Sequence, residues 1–199
     1  MSIKIASKVL ATISLLLILT GPSQGQQAGQ PGRQISWQIT AAKVLNPGTT
    51  ATGTQGIVTN GYEIEAEAGS EDEAAPIRKG IFHLTLSIFS PGQDRPGQKA
   101  GLWYLRGNWS LADKNLPPQA AKARHSRGVI KGELTGELPF NPALSPGNVN
   151  AQVRVPMSPQ AGGWGKGKGT FKGNEKFAGQ LDLSMERWQK TRKHEGGTK

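Results

Sequence analysis

The sequence predicts an all-β, antiparallel fold of about eight strands, closed or nearly closed into a barrel, with a two-sheet sandwich as the alternative. Three observations carry that expectation. Apolar and polar residues alternate with a period of two in eight separate runs. Turn-rich breaks such as Asn46-Pro47-Gly48, Ser90-Pro91-Gly92 and Ser145-Pro146-Gly147 separate several of them. No segment carries an apolar stripe at helical spacing over any substantial length.

In the first run Ile35, Trp37, Ile39 and Ala41 share a face against Ser36, Gln38 and Thr40. Tyr62, Ile64, Ala66 and Ala68 then oppose Glu63, Glu65 and Glu67. The third run sets Phe82, Leu84, Leu86 and Ile88 against His83, Thr85 and Ser87. The fourth sets Trp103, Leu105, Gly107, Trp109 and Leu111 against Tyr104, Arg106, Asn108 and Ser110. Between it and the next, residues 114–127 read as a loop rather than a short helix, because Pro117-Pro118 interrupts them. Ile130, Gly132, Leu134, Gly136 and Leu138 oppose Lys131, Glu133, Thr135 and Glu137. Val149, Ala151, Val153, Val155 and Met157 oppose Asn150, Gln152 and Arg154. The seventh run puts Gly163, Gly165, Gly167, Gly169, Phe171 and Gly173 on one face and Trp164, Lys166, Lys168, Thr170 and Lys172 on the other. Phe177, Gly179, Leu181, Leu183 and Met185 close the series. This outline resembles, in architecture alone, the calycin-like and allene-oxide-cyclase-like barrels, which implies a fold and no particular activity.

The ends read differently. Lys4 and Lys8 precede a short apolar run over 9–19, followed by Gly21-Pro22, Ser23 and Gly25. A charged start, a short apolar stretch and small residues before a cleavage point make residues 1–25 a signal peptide, so the protein is expected to be exported, periplasmic or extracellular, in a bacterium. The apolar run is shorter than the roughly 20 residues of a membrane span; an uncleaved anchor is the alternative. Residues 26–34 read as a disordered mature N-terminus, 35–188 as one β domain and 189–199 as a basic disordered tail. There are no cysteines, which excludes disulfides, thiolate metal sites and cysteine nucleophiles.

Charge is asymmetric. Residues 26–98 hold five Lys or Arg against seven Asp or Glu, and residues 99–199 hold seventeen against seven. Such a layout implies either internal complementarity or an anionic partner for the second half. The lysine ladder of Lys166, Lys168 and Lys172 and the glutamate ladder of Glu63, Glu65 and Glu67 pose this question locally. On neighbouring strands they would pair at about 0.2–1 kcal/mol per contact. On separated strands the lysines, with Arg106, Lys131 and Arg154, would form a basic patch for anionic polymers or lipid headgroups.

The stretch GWGKGKGTFKG at 163–173 superficially suggests a phosphate loop. From Gly162 the spacing delivers Gly167 and Lys168, but Gly169 replaces the metal-binding hydroxyl and no helix follows. No nucleotide or other cofactor is expected. A strand fits better, and four glycines on one face imply something bulky against it. The protein's own aromatics could fill that space, or a ligand could. The ligand reading names Phe82, Leu84, Trp103, Trp109, Ile130, Leu134, Gly167, Gly169 and Phe171 as contacts, aromatics supplying area and glycines room.

No catalytic or metal set emerges. His83, His125 and His194 lack metal-ligand spacing, and no G-x-S-x-G elbow supports a serine nucleophile. Glu71-Asp72-Glu73 lacks a calcium-loop frame and reads as an acidic loop tip. Glu133 and Glu137 would stand roughly 13 Å apart on a strand, too far for a glycosidase pair. Three functions therefore stand in order: an exported non-catalytic barrel binding a small apolar molecule, a basic module binding anionic polymers or membrane surfaces, and an enzyme. An outer-membrane barrel is a further alternative, distinguished by an apolar face that points outward.

Overall fold

A computed structural model describes residues 32–52, 58–117, 128–141, 147–157, 159 and 161–187. The proposed signal peptide, the basic tail from 189, His125 and His194 lie outside the described residues. All eight alternating runs are strands: β1 (Arg33–Asn46), β3 (Val58–Gly69), β4 (Lys79–Ser90), β5 (Trp103–Asp113), β6 (Val129–Leu138), β7 (Asn148–Val155), β8 (Trp164–Asn174) and β9 (Gly179–Arg187). A short β2 (Thr50–Thr52), which no alternation announces, pairs with the start of β3. β1 begins at Arg33, so Arg33 and Gln34 belong to the first strand rather than to the N-terminal segment.

The strands follow one another around an antiparallel ring, β1–β3–β4–β5–β6–β7–β8–β9, and β1 closes it. Arg33 to Ile39 pair with β9, while Gln38 to Asn46 pair with β3. A register shift between Thr40 and Lys43, where Ala41 takes a φ of 50°, hands β1 from one neighbour to the other. The molecule is thus a closed barrel and not a sandwich.

The apolar face points inward and fills the barrel. Ile35, Trp37, Ile39, Leu84, Leu86, Leu134, Val153, Leu181 and Leu183 are all buried. Aromatic rings cross the interior: Trp109 stacks on Phe82 at 5.9 Å, Phe82 on Phe171 at 6.5 Å, and Phe171 on Phe177 at 6.3 Å. Each such pair adds about 0.5–1.5 kcal/mol beyond burial of area. One end is plugged by Ile77, whose carbonyl accepts a 2.7 Å hydrogen bond from Trp37 Nε1. Ser36, Glu65, Glu67, Thr85, Arg106, Asn108, Glu133, Thr135, Gln152, Arg154, Lys168 and Lys172 face outward and are exposed. The outer wall across β4–β8 is therefore polar, the reverse of the lipid-facing pattern.

Candidate functional site

The residues expected to contact an apolar ligand pack on one another. Phe82, Leu84, Trp109, Ile130, Leu134 and Phe171 are all at most 2% exposed and belong to one core cluster. Trp103 is half-buried against the edge of that cluster. Gly167 and Gly169 do face the interior, opposite Met185 and Leu183 of β9. What lies against them is the neighbouring backbone. A Cβ on Gly169 would overlap the Asp182 carbonyl, and one on Gly167 would sit 3.0 Å from the Ser184 carbonyl oxygen. Glycine is needed there so that β9 can approach β8 closely. The same relation recurs at Gly107 and Gly132, whose added Cβ atoms would strike carbonyls of Thr85 and Arg154.

Alternation fails at one point of the glycine stretch. A register shift between Gly165 and Gly167, with Lys166 at φ 45°, makes Lys166 a bulge. One extra residue reverses the faces before it, so Trp164 does not share the lysine face. It is buried at 7% exposure, with Arg187 stacked 5.2 Å from its ring centre.

The two charged ladders are not neighbours. β3 and β8 are separated by four strands one way and by β1 and β9 the other. Pairing between the ladders, one of the two expectations, is therefore overturned by strand order. Each glutamate on β3 meets a partner from elsewhere: Glu63 is 3.0 Å from the His83 imidazole Nε2, Glu67 is 3.4 Å from Lys114, and Glu65 stands opposite Lys43. On the other side, Lys166 reaches Glu186 at 3.7 Å. Arg154 and Lys168 stand directly opposite one another across β7 and β8, and Lys172 lies further along opposite Asn150. Among the described residues, no carboxylate comes within ion-pair distance of Arg154, Lys168 or Lys172. Arg106 lies two strands away on β5, stacked 5.4 Å from the Phe89 ring centre.

Beside this cationic row the outer wall is hollowed. A groove of about 390 Å³ is lined by His83 and Thr85 on β4, by Asn108, Trp109 and Ser110 on β5, by Lys131, Gly132 and Glu133 on β6, and by Pro156. Its origin is local. The β6–β7 ladder starts only at Glu133, opposite Arg154, so the first residues of β6 have no strand beside them on that flank. Gly132 carries no side chain, and the Trp109 indole lies under it, donating from Nε1 to the Glu133 carbonyl at 3.2 Å. The site is thus a polar trough with an indole edge for a floor. Alternation had placed His83, Thr85, Asn108, Ser110, Lys131 and Glu133 on polar faces. Their meeting depends on cross-strand register, which no single run contains.

The acidic loop tip is used internally. Asp72 accepts a hydrogen bond from the Ala74 amide at 2.9 Å and pairs with Arg33 at 2.9 Å. These two contacts, the amide first, hold its carboxyl below the ordinary aspartate range. Comparison with protein-family models, curated proteins and solved structures found no match for this chain.

Proposed function

We propose that this protein is a non-catalytic binding module for anionic polymers, engaging them with the outer β7–β8 wall. The observation that carries the reading is the row Arg154–Lys168 with Lys172 beyond it, cations set side by side with no carboxylate of the described residues within ion-pair distance. Like charges directly opposite on neighbouring strands cost stability. Glu133, opposite Arg154 on β6, offsets part of that cost, and a polyanion would offset the rest at Lys168 and Lys172, which stand opposite Ser184 and Gln180 on β9. Arg106 and Lys131 extend positive charge across the adjoining β5 and β6. The leader-like segment 1–25 argues for a partner outside the cytosol, such as an acidic polymer of a bacterial envelope. The filled interior supports this reading over an apolar ligand within the barrel, because such a ligand would have to displace the stack of Trp109, Phe82 and Phe171.

The test is binding of a labelled polyanion, read by fluorescence anisotropy over a range of salt. Screening shortens electrostatic reach to about 8 Å at physiological ionic strength and 3 Å at 1 M, so affinity should fall steeply with salt. It should fall further in Lys168→Glu. Binding that ignores both salt and the charge at Lys168 would end this reading.

A further inference from the structure

Resting on that reading, we propose that the groove on β4–β6 seats one hydroxyl-rich ring of an acidic polysaccharide, whose flanking acid groups meet the β7–β8 cations. The groove's side chains are chemically mixed. Thr85 and Ser110 offer hydroxyls, Asn108 a carboxamide, His83 an imidazole, Lys131 an ammonium and Glu133 a carboxylate. Each sugar hydroxyl is both donor and acceptor, so a wall mixing the two kinds can satisfy several at once. The volume of about 390 Å³ falls within the range of small-molecule pockets.

Glu133 decides which part of the polymer sits where. It lines the groove and stands directly opposite Arg154, which stands directly opposite Lys168. A carboxylate placed beside Glu133 is repelled by it, whereas a hydroxyl there can donate to it. One strand further along, about 4.8 Å away, Arg154 begins the cationic row. Hydroxyls are therefore read on β4–β6 and charge on β7–β8, in adjoining steps across one wall. A polymer with charge on every unit and no hydroxyls, such as polyphosphate, gains from the row and is opposed at Glu133. Single-stranded nucleic acid fits the floor poorly, because base stacking needs an exposed ring face and Trp109 is only 2% exposed.

The experiment titrates the full chain with a hyaluronate oligosaccharide, in which uncharged hydroxyl-bearing rings alternate with uronate rings, and with inorganic polyphosphate of equal charge, by calorimetry at low salt. Wild type should bind the uronate more tightly. Ser110→Phe, which fills the trough, should lower uronate affinity by about tenfold or more and leave polyphosphate affinity unchanged, while Lys168→Glu weakens both. Asn108→Ala removes hydrogen bonds without adding bulk and should weaken uronate binding by about fivefold, the scale of one hydrogen bond. It serves as the second variant should Ser110→Phe fold poorly. Equal binding of both polymers, unchanged by the groove variants, overturns the sugar site while leaving the polyanion reading standing. Uronate binding that Ser110→Phe abolishes and Lys168→Glu leaves untouched overturns the link between groove and cations. Failure of both polymers to bind the wild type overturns the polyanion reading and this inference with it.

Discussion

The walls around β3 and around β7–β8 carry similar densities of charge on the same kind of backbone, yet their charges are disposed differently. Glu65 and Glu67 each face a cation brought by another strand or loop, Lys43 and Lys114, and Glu63 lies within hydrogen-bond distance of the His83 imidazole. Arg154 and Lys168 face each other. In the first wall charge helps to define which strands are adjacent. In the second, Arg154 against Lys168 opposes adjacency between β7 and β8, even though Glu133 flanks Arg154 on its other side, which is why that wall is the better place to look for a partner. The contrast teaches that a ladder's meaning lies in what the register sets beside it, not in its composition.

Because both walls stand on one interior, the sharpest break comes from within. Gly169→Ala puts a methyl group into the Asp182 carbonyl, and we expect the β8–β9 ladder to fail, at a cost above about 4 kcal/mol. A urea melt of the purified variant checks this, and near-native stability would refute the close approach. Phe82→Ala, beneath the acidic side, and Phe171→Ala, beneath the basic side, should each cost about 3–5 kcal/mol. Similar losses in chemical denaturation would show that the walls are equally well packed and differ in charge alone. A much smaller loss at Phe171 would mean that the basic wall is also the looser one.

Charge reversal sharpens the comparison directly. Arg154→Glu turns a like-charged pair with Lys168 into an attractive one, although it faces Glu133 on its other side. Stability should therefore change by less than about 1 kcal/mol, while polyanion affinity falls. Removing Glu63 as Glu63→Gln should cost at most about 1 kcal/mol, as for other exposed pairs, and leave polyanion binding alone. If it altered binding as much as Arg154→Glu does, the division of labour between the walls would be wrong.

The smallest effect concerns pH. Asp72 has a lowered folded-state pKa, so its contribution is present above the unfolded value of about 3.8 and is lost as pH falls through the folded value. Asp72→Asn should therefore lower the melting temperature slightly at neutral pH, and the gap to wild type should close as the pH is lowered through that interval.

Much of the fold was legible because a half-buried strand writes its burial into alternate residues. All eight runs became strands, and the inward face in each was nearly always the apolar one. What alternation could not carry is any event that adds a residue or depends on a distant strand. The bulge at Lys166 reverses Trp164 without any change in residue type that marks it. The three residues of β2 are too few to show a period. The partners of Glu63 and Lys168 follow from strand order and closure, and the groove follows from the ladder ending at Glu133 and Arg154. Glycines were informative in a different sense from the one first read. Gly107, Gly132, Gly167 and Gly169 mark where a neighbouring carbonyl comes close.

The stagger of β1 also orders events in time. From Arg33 to Trp37 it pairs with no strand other than β9, and the hydrogen bond from Ser36 to Asp182 spans 146 residues of chain. Successive hairpins from β3 onward can form as soon as each is made, since their contacts are local. The wall itself stays open until the chain has emerged as far as β9. A barrel built this way cannot complete itself until β9 has been made, so its closure waits on the last strand of the described residues.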